Sequence, residues 1–248
     1  MTELIYEHPL NEKYRTYLRL EYLLLQLQQL LPLQNEWQQQ AFFNSLFDLI
    51  EVLDRNDIRP DLIKDCERCE TALVKWASHP SVSDDKLKPL LQQAVRLQSE
   101  LLRGGKFVSA IKEDKFLAPL RQRFAVPAGT CYFDLPQLQY WFSLPAELRQ
   151  HAAKQWYAEF TLLQQALEMV LQFCRGKADF VDISTENGFY QNNSEQFELL
   201  RIRYNCELGA YPTVSGNKYR FAIRFMQLLD DSGRAGSEKA IRFALACC

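Results

Sequence analysis

Between Leu199 and Phe225 five basic residues, Arg201, Arg203, Lys218, Arg220 and Arg224, stand against a single acidic one, Glu207. Strand alternation puts Arg220 and Arg224 on one face, opposite Tyr219, Phe221, Ile223 and Phe225. It pairs Arg201 with Arg203 in the same way, opposite Ile202 and Tyr204. Guanidiniums held on a rigid surface take carboxylates through bidentate, charge-assisted hydrogen bonds. Three uses fit the pattern: an ordinary solvated strand face, a grip on an acidic peptide, or contact with nucleic acid. A formal net charge of −2 weighs against nucleic acid, as does the lack of aromatics interleaved on the basic face. On the first helix Arg15 and Arg19 fall one turn apart beside an apolar stripe, the pattern of a solvated flank.

Residues for catalysis are sparse. His8, His79 and His151 are scattered, and none has a second His or a carboxylate at metal-ligand spacing. His8, just before Pro9, is expected to help cap the first helix. Cys66 and Cys69 form a CxxC inside DCERCE, on a helix and with no second ligand pair. Gly104–Gly105–Lys106 lacks the preceding strand and the Ser or Thr of a phosphate loop. The expectation is a protein without catalytic residues, cofactor or metal, and therefore not an enzyme. Seven cysteines without a regular framework predict free thiols in a reducing cytosol, with Cys247–Cys248 ending a buried strand. Glu3, Glu7 and His8 interrupt any export core near the start, and no apolar run approaches the roughly 20 residues of a membrane span. No membrane insertion is expected.

Glycine organises the elements that must position the arginines. None precedes Gly104, and the first hundred residues are rich in Leu, Gln, Glu, Lys and Arg. Apolar spacing predicts helices ending at Pro32 and over 36–55, 60–78, 84–102 and 113–124, then one long or two collinear helices over 145–175. Beyond Gly176 the period falls to about two residues, and strands are predicted at 180–183, 199–204, 219–225 and 240–247. Gly129–Phe133 is predicted as a further strand joining the same sheet. The fold class expected is α+β: a mainly helical domain, 1–125 with 136–177, packed with a smaller antiparallel β domain, 126–135 with 178–248. The β domain would be discontinuous in sequence.

Three stretches then stand out together: EHPLNEKYRTYLRLE, CYFDLPQLQYWFSLP, and NGFYQNN followed by SGNKYRFAIRFM and the terminal ALACC. In that order and at those intervals the chain closely resembles the ZapD family of Z-ring-associated cell-division proteins, from Glu7 to Cys248. The resemblance implies a helical and a β domain, a homodimer, and a cytoplasmic location with recruitment to mid-cell; a helical surface is the expected place of pairing. It implies binding to the C-terminal tail of FtsZ and bundling of FtsZ protofilaments, with no nucleic acid required. A nucleic-acid-binding regulator using the same basic surface is the alternative. The family's tail-binding positions match Arg19, Arg55, Arg220 and Arg224. An arginine of the family pattern is Lys115 here, which keeps the charge and loses the fork, and a histidine is Gln139, which loses any charge. Arg201 and Arg203 are secondary candidates.

Overall fold

The computed structural model describes residues 3–77, 84–193, 197–217, 219–229, 233–236 and 239–248. His79 and Lys218 lie outside them. The chain opens with strand β1 (Glu3–Pro9), followed by helices α1 (Glu12–Leu30), α2 (Glu36–Arg55), α3 (Arg59–Ala77) and α4 (Asp84–Arg103). Short helices α5 (Ser109–Lys112), α6 (Leu117–Phe124) and α7 (Pro136–Ser143) lead to α8 (Ala146–Ala158) and α9 (Thr161–Arg175). Seven strands complete the described order: β2 (Val181–Thr185), β3 (Phe189–Asn193), β4 (Leu199–Asn205), β5 (Tyr211–Gly216), β6 (Arg220–Leu229), β7 (Gly233–Gly236) and β8 (Ile241–Cys247). The α+β class expected from sequence is the class observed. No helix among the described residues is long and apolar enough to cross a membrane.

The chain divides into two compact units, 1–18 with 171–248, and 19–170. The helical unit is built on spacing and caps. In α2 the Asn35 side chain accepts from Gln38 N at 3.0 Å, and Phe42, Phe43, Leu46, Phe47, Leu49, Ile50 and Leu53 share the buried face. Phe43 is the hub of an aromatic cluster, with ring centroids 5.1 Å from Trp141, 5.8 Å from Trp156 and 5.9 Å from Phe124. Asp114 serves this cluster twice. Its Oδ1 accepts from Phe116 N and Leu117 N at 2.8 and 2.9 Å, starting α6, and its Oδ2 accepts from Trp156 Nε1 at 3.0 Å. Asp114 thus splits the helix predicted over 113–124 and leaves Lys115 in the turn before α6.

One further departure from the sequence reading has a local cause. The segment 126–135 forms no strand. Gly129 N donates to Val126 O at 2.9 Å, Cys131 N to Ala128 O at 3.2 Å and Asp134 N to Cys131 O at 2.9 Å, so its backbone groups are spent on successive turns. Ala128, at φ 56°, takes a left-handed conformation within them. The helical stretch expected over 145–175, as one long helix or two collinear ones, is two helices, α8 and α9, meeting at Glu159–Phe160, where Phe160 is fully buried.

The β unit carries two antiparallel sheets, in strand order β1-β4-β8-β2 and β3-β6-β5, with β7 pairing the far end of β6. Leu200 and Ile202 on β4 and Ile241, Phe243 and Leu245 on β8 share one buried core with Phe221, Ile223 and Phe225 on β6. The Phe225 and Phe243 rings meet at 5.2 Å. Each such side chain stabilises the fold by about 1.5–3 kcal/mol. The discontinuity in sequence is supplied by β1, which pairs β4 from Glu3↔Asn205 to Pro9↔Leu199.

β1 also reassigns two residues. His8 lies within the strand and caps nothing; the α1 cap is Asn11, whose Oδ1 accepts from Tyr14 N at 2.9 Å. The Glu7 carboxylate sits between two arginines, taking Arg175 Nη2 at 2.7 Å and Arg201 Nε at 2.9 Å. Glu7→Ala leaves those guanidiniums half-enclosed without their anion. It is expected to cost about 2 kcal/mol in thermal unfolding, below the range for fully buried pairs because the site is partly wet.

Burial, and the charge of Arg15, hold the His8 imidazole below its ordinary pKa. The unfolded chain therefore takes up a proton that the folded chain refuses. Stability present above the ordinary value of about 6.5 falls as pH drops through the window below it. Unfolding curves at about pH 7.5 and about pH 5.5 should show this loss, and His8→Gln should reduce it.

Candidate partner-binding surface

Because Phe221, Ile223 and Phe225 face the core, Arg220, Ala222 and Arg224 face outward along β6. Register supplies their neighbours: Asn193 beside Arg220, Gln191 and Ser215 on either side of Ala222, and Phe189 and Thr213 on either side of Arg224. All but Ala222, which is half-buried, are exposed, and none is acidic. Local bonds stiffen both ends of this stretch. Asn217 Oδ1 accepts from Tyr219 N at 2.9 Å and from Arg220 N at 3.3 Å, and Asn217 N donates to Arg220 O at 2.9 Å. Gly216 is required at this turn, since a Cβ there would stand 2.7 Å from the Phe221 Cβ. Thr213 Oγ1 donates to Arg224 O at 2.9 Å, and the Arg224 guanidinium lies 5.3 Å from the Phe189 ring centroid. Among the described residues neither Arg220 nor Arg224 has an ion-pair partner.

Arg201 and Arg203 belong to β4, in the other sheet, and their face is the outer one opposite the shared core. They share a face with each other as expected, but not with Arg220 and Arg224. Arg201 is a structural residue. With 18% of its side chain exposed it binds Glu7, donates to Arg175 O at 3.2 Å and lies over Phe180. Arg203 stacks on the same Phe180 ring at 4.6 Å.

The remaining candidates are on the helical unit. Arg55 ends α2 and is engaged by Glu51 one turn earlier. Asp54 holds Lys112 at 2.6 Å and Arg121 at 2.9 Å, tying the last turn of α2 to the two helices that flank Lys115. Lys115 is exposed. Arg19 on α1 and Gln139 on α7 are exposed as well. Between α2, α5 and α6 lies a hollow of about 540 Å³ lined by Phe47, Ile50 and Leu117 and by charges of both signs, Asp48, Glu51, Lys112 and Arg121. Three of the thiols are unsuited to nucleophilic work: burial pushes Cys66 up to about 12, and Cys174 and Cys247 up to about 11, so these three stay protonated near neutrality.

Sequence reasoning passed over Glu7 and Phe189. Glu7 opens EHPLNEKYRTYLRLE and Phe189 stands in NGFYQNN, segments that marked the family without assigning either residue a role.

The family model for ZapD, described as a cell division protein, matches residues 18–224. The chain belongs to the ZapD family. Proteins named cell division protein ZapD from Cronobacter sakazakii, Escherichia coli and Shigella boydii are each 38% identical over 247 residues, covering 100% of this chain and 99% of theirs. The role of the protein is thereby in cell division.

The division of labour among the arginines is measurable without a partner. Arg201→Ala is expected to lower stability by about 1–2 kcal/mol, since it removes bonds to Glu7 and to a backbone carbonyl. Arg220→Ala and Arg224→Ala should each stay within about 0.5 kcal/mol of the parent in denaturant unfolding, as exposed residues without ion pairs do.

Proposed function

We propose that the protein is a non-enzymatic crosslinker of FtsZ, cytoplasmic and recruited to mid-cell, that grips the C-terminal tail of FtsZ with arginines. The observation that carries this reading is the pair Arg220 and Arg224, which among the described residues have no ion-pair partner and no acidic neighbour on their outward strand face. Carboxylates of a tail segment satisfy them with bidentate geometry, and that requires no chemical step. Family resemblance assigns Arg19, Arg55 and Lys115 to the same task, and each can take a carboxylate of its own. Gln139 can offer a hydrogen bond but no charge.

A homodimer formed through helical surfaces presents two equivalent tail sites. A filament displays many tails at high local density, so two weak contacts on neighbouring filaments reinforce each other by multivalency. Bundling follows from bivalency, and the crosslink is itself the activity. Because the grip is electrostatic and exposed, added salt weakens it.

Co-sedimentation with GTP-assembled FtsZ, intact or lacking its C-terminal tail, tests the proposal. Pelleting and bundling are expected with intact FtsZ only, and should decline sharply between about 0.1 M and about 0.5 M salt. Bundling that is indifferent to the tail would overturn the tail grip. Filter binding to DNA or RNA with a steep log–log salt slope would instead favour the nucleic-acid reading.

A further inference from the structure

Arg220 and Arg224 are four positions apart on one strand, so their Cα atoms stand about 13 Å apart at about 3.3 Å per residue. Ala222 stands between them, and from it toward Arg220 runs a hollow of about 420 Å³ lined by Gln191, Ser215, Gly216, Asn217 and Arg220. Gln191 and Ser215 flank Ala222 in a single cross-strand row. A primary amide and a hydroxyl can each donate to and accept from a peptide backbone. At the other end, Phe189 props the Arg224 guanidinium and stays 37% exposed, enough to meet an apolar side chain of a ligand.

A peptide could instead extend the sheet at β3, but that edge is largely closed. Phe225 N donates to Gly188 O at 2.8 Å, which fixes the alternation of the antiparallel ladder. Tyr190 and Asn192 then turn their peptide groups to β6, while Phe189, Gln191 and Asn193 turn theirs outward. Two of the three outward N–H groups are already engaged. Phe189 N donates to Asn187 Oδ1 at 3.2 Å, and Asn193 N donates to Asn192 Oδ1 at 2.8 Å. With Gln191 N–H alone left over, the edge is a poor template for a further strand. The ligand belongs on the face.

Resting on the tail grip proposed above, we infer that this face reads an extended acidic segment whose two carboxylates lie four residues apart, one on each arginine, with its main chain over Gln191 and Ser215. Four extended residues span the distance between the arginines. A helical ligand would need its acids about nine residues apart, at about 1.5 Å per residue. The arrangement of acids in the ligand therefore reports how the segment is bound.

Fluorescence anisotropy on the full chain at low salt tests this with labelled peptides of twelve Ser, Thr and Ala residues carrying two aspartates. With composition held constant, aspartates four apart are expected to bind about tenfold tighter than adjacent ones, because only the former engage both arginines at once. Gln191→Ala and Ser215→Ala should each weaken the favoured peptide about threefold. Equal affinity across spacings, a preference for aspartates nine apart, or no binding of any peptide would overturn the inference. A parallel arm uses the FtsZ tail and the double variant R220A/R224A. Loss of tail binding alongside a flat spacing series removes the spacing rule and leaves the grip. Undiminished tail binding by the double variant removes the grip itself.

Discussion

One carboxylate closes the β unit. Glu7 arrives on a strand at the start of the chain and meets Arg175, at the end of α9, and Arg201, on β4. All three are side chains that resist burial alone, and together they satisfy one another at an enclosed corner. That triad fastens β1 onto β4, and β4 is the strand through which β1 and β8 are joined into one sheet. It also decides which arginines remain available. Arg201 is committed to holding the fold, whereas Arg220 and Arg224, on the other sheet, have no ion-pair partner among the described residues. A cluster of basic residues in sequence is thus sorted by structure into a fastener and a pair of open hands.

What sequence could reveal follows from where each signal lies. Helix α2 was legible because its apolar period runs unbroken through its own twenty residues. Strands β4, β6 and β8 were legible because each sends large apolar side chains into the shared core at alternate positions. β1, β3, β5 and β7 were not. They are edge or partial strands, short or polar, and β5 and β7 carry the Pro and Gly residues that ordinarily punctuate loops. Gly129–Phe133 erred the other way, a short segment between helical stretches that was read as a strand while its backbone bonds were local turns.

The site divides along the same line. That Arg220 and Arg224 share a face is a matter of period two, and alternation sufficed. That Arg201 is occupied depends on Glu7, 194 positions away, and no local pattern carries that distance. Phe189 beneath Arg224 is set by the register of β3 on β6, a pairing fixed by the hairpins and the core. Family resemblance supplied Arg19, Arg55 and Lys115, whose task could not be inferred from spacing at all.

The placement of aromatic side chains gives the molecule separate optical labels. All four tryptophans, Trp37, Trp76, Trp141 and Trp156, fall within 19–170, and two of them stand in the cluster around Phe43. The β unit has tyrosine and phenylalanine but no indole. Indole emission excited at the red edge therefore follows the helical unit alone and is blind to loosening of the sheets, while tyrosine absorbance and the β contribution to far-ultraviolet spectra still register it. Comparing the two signals on one sample reports whether the units melt as one cooperative body or in sequence, without any dye or added label.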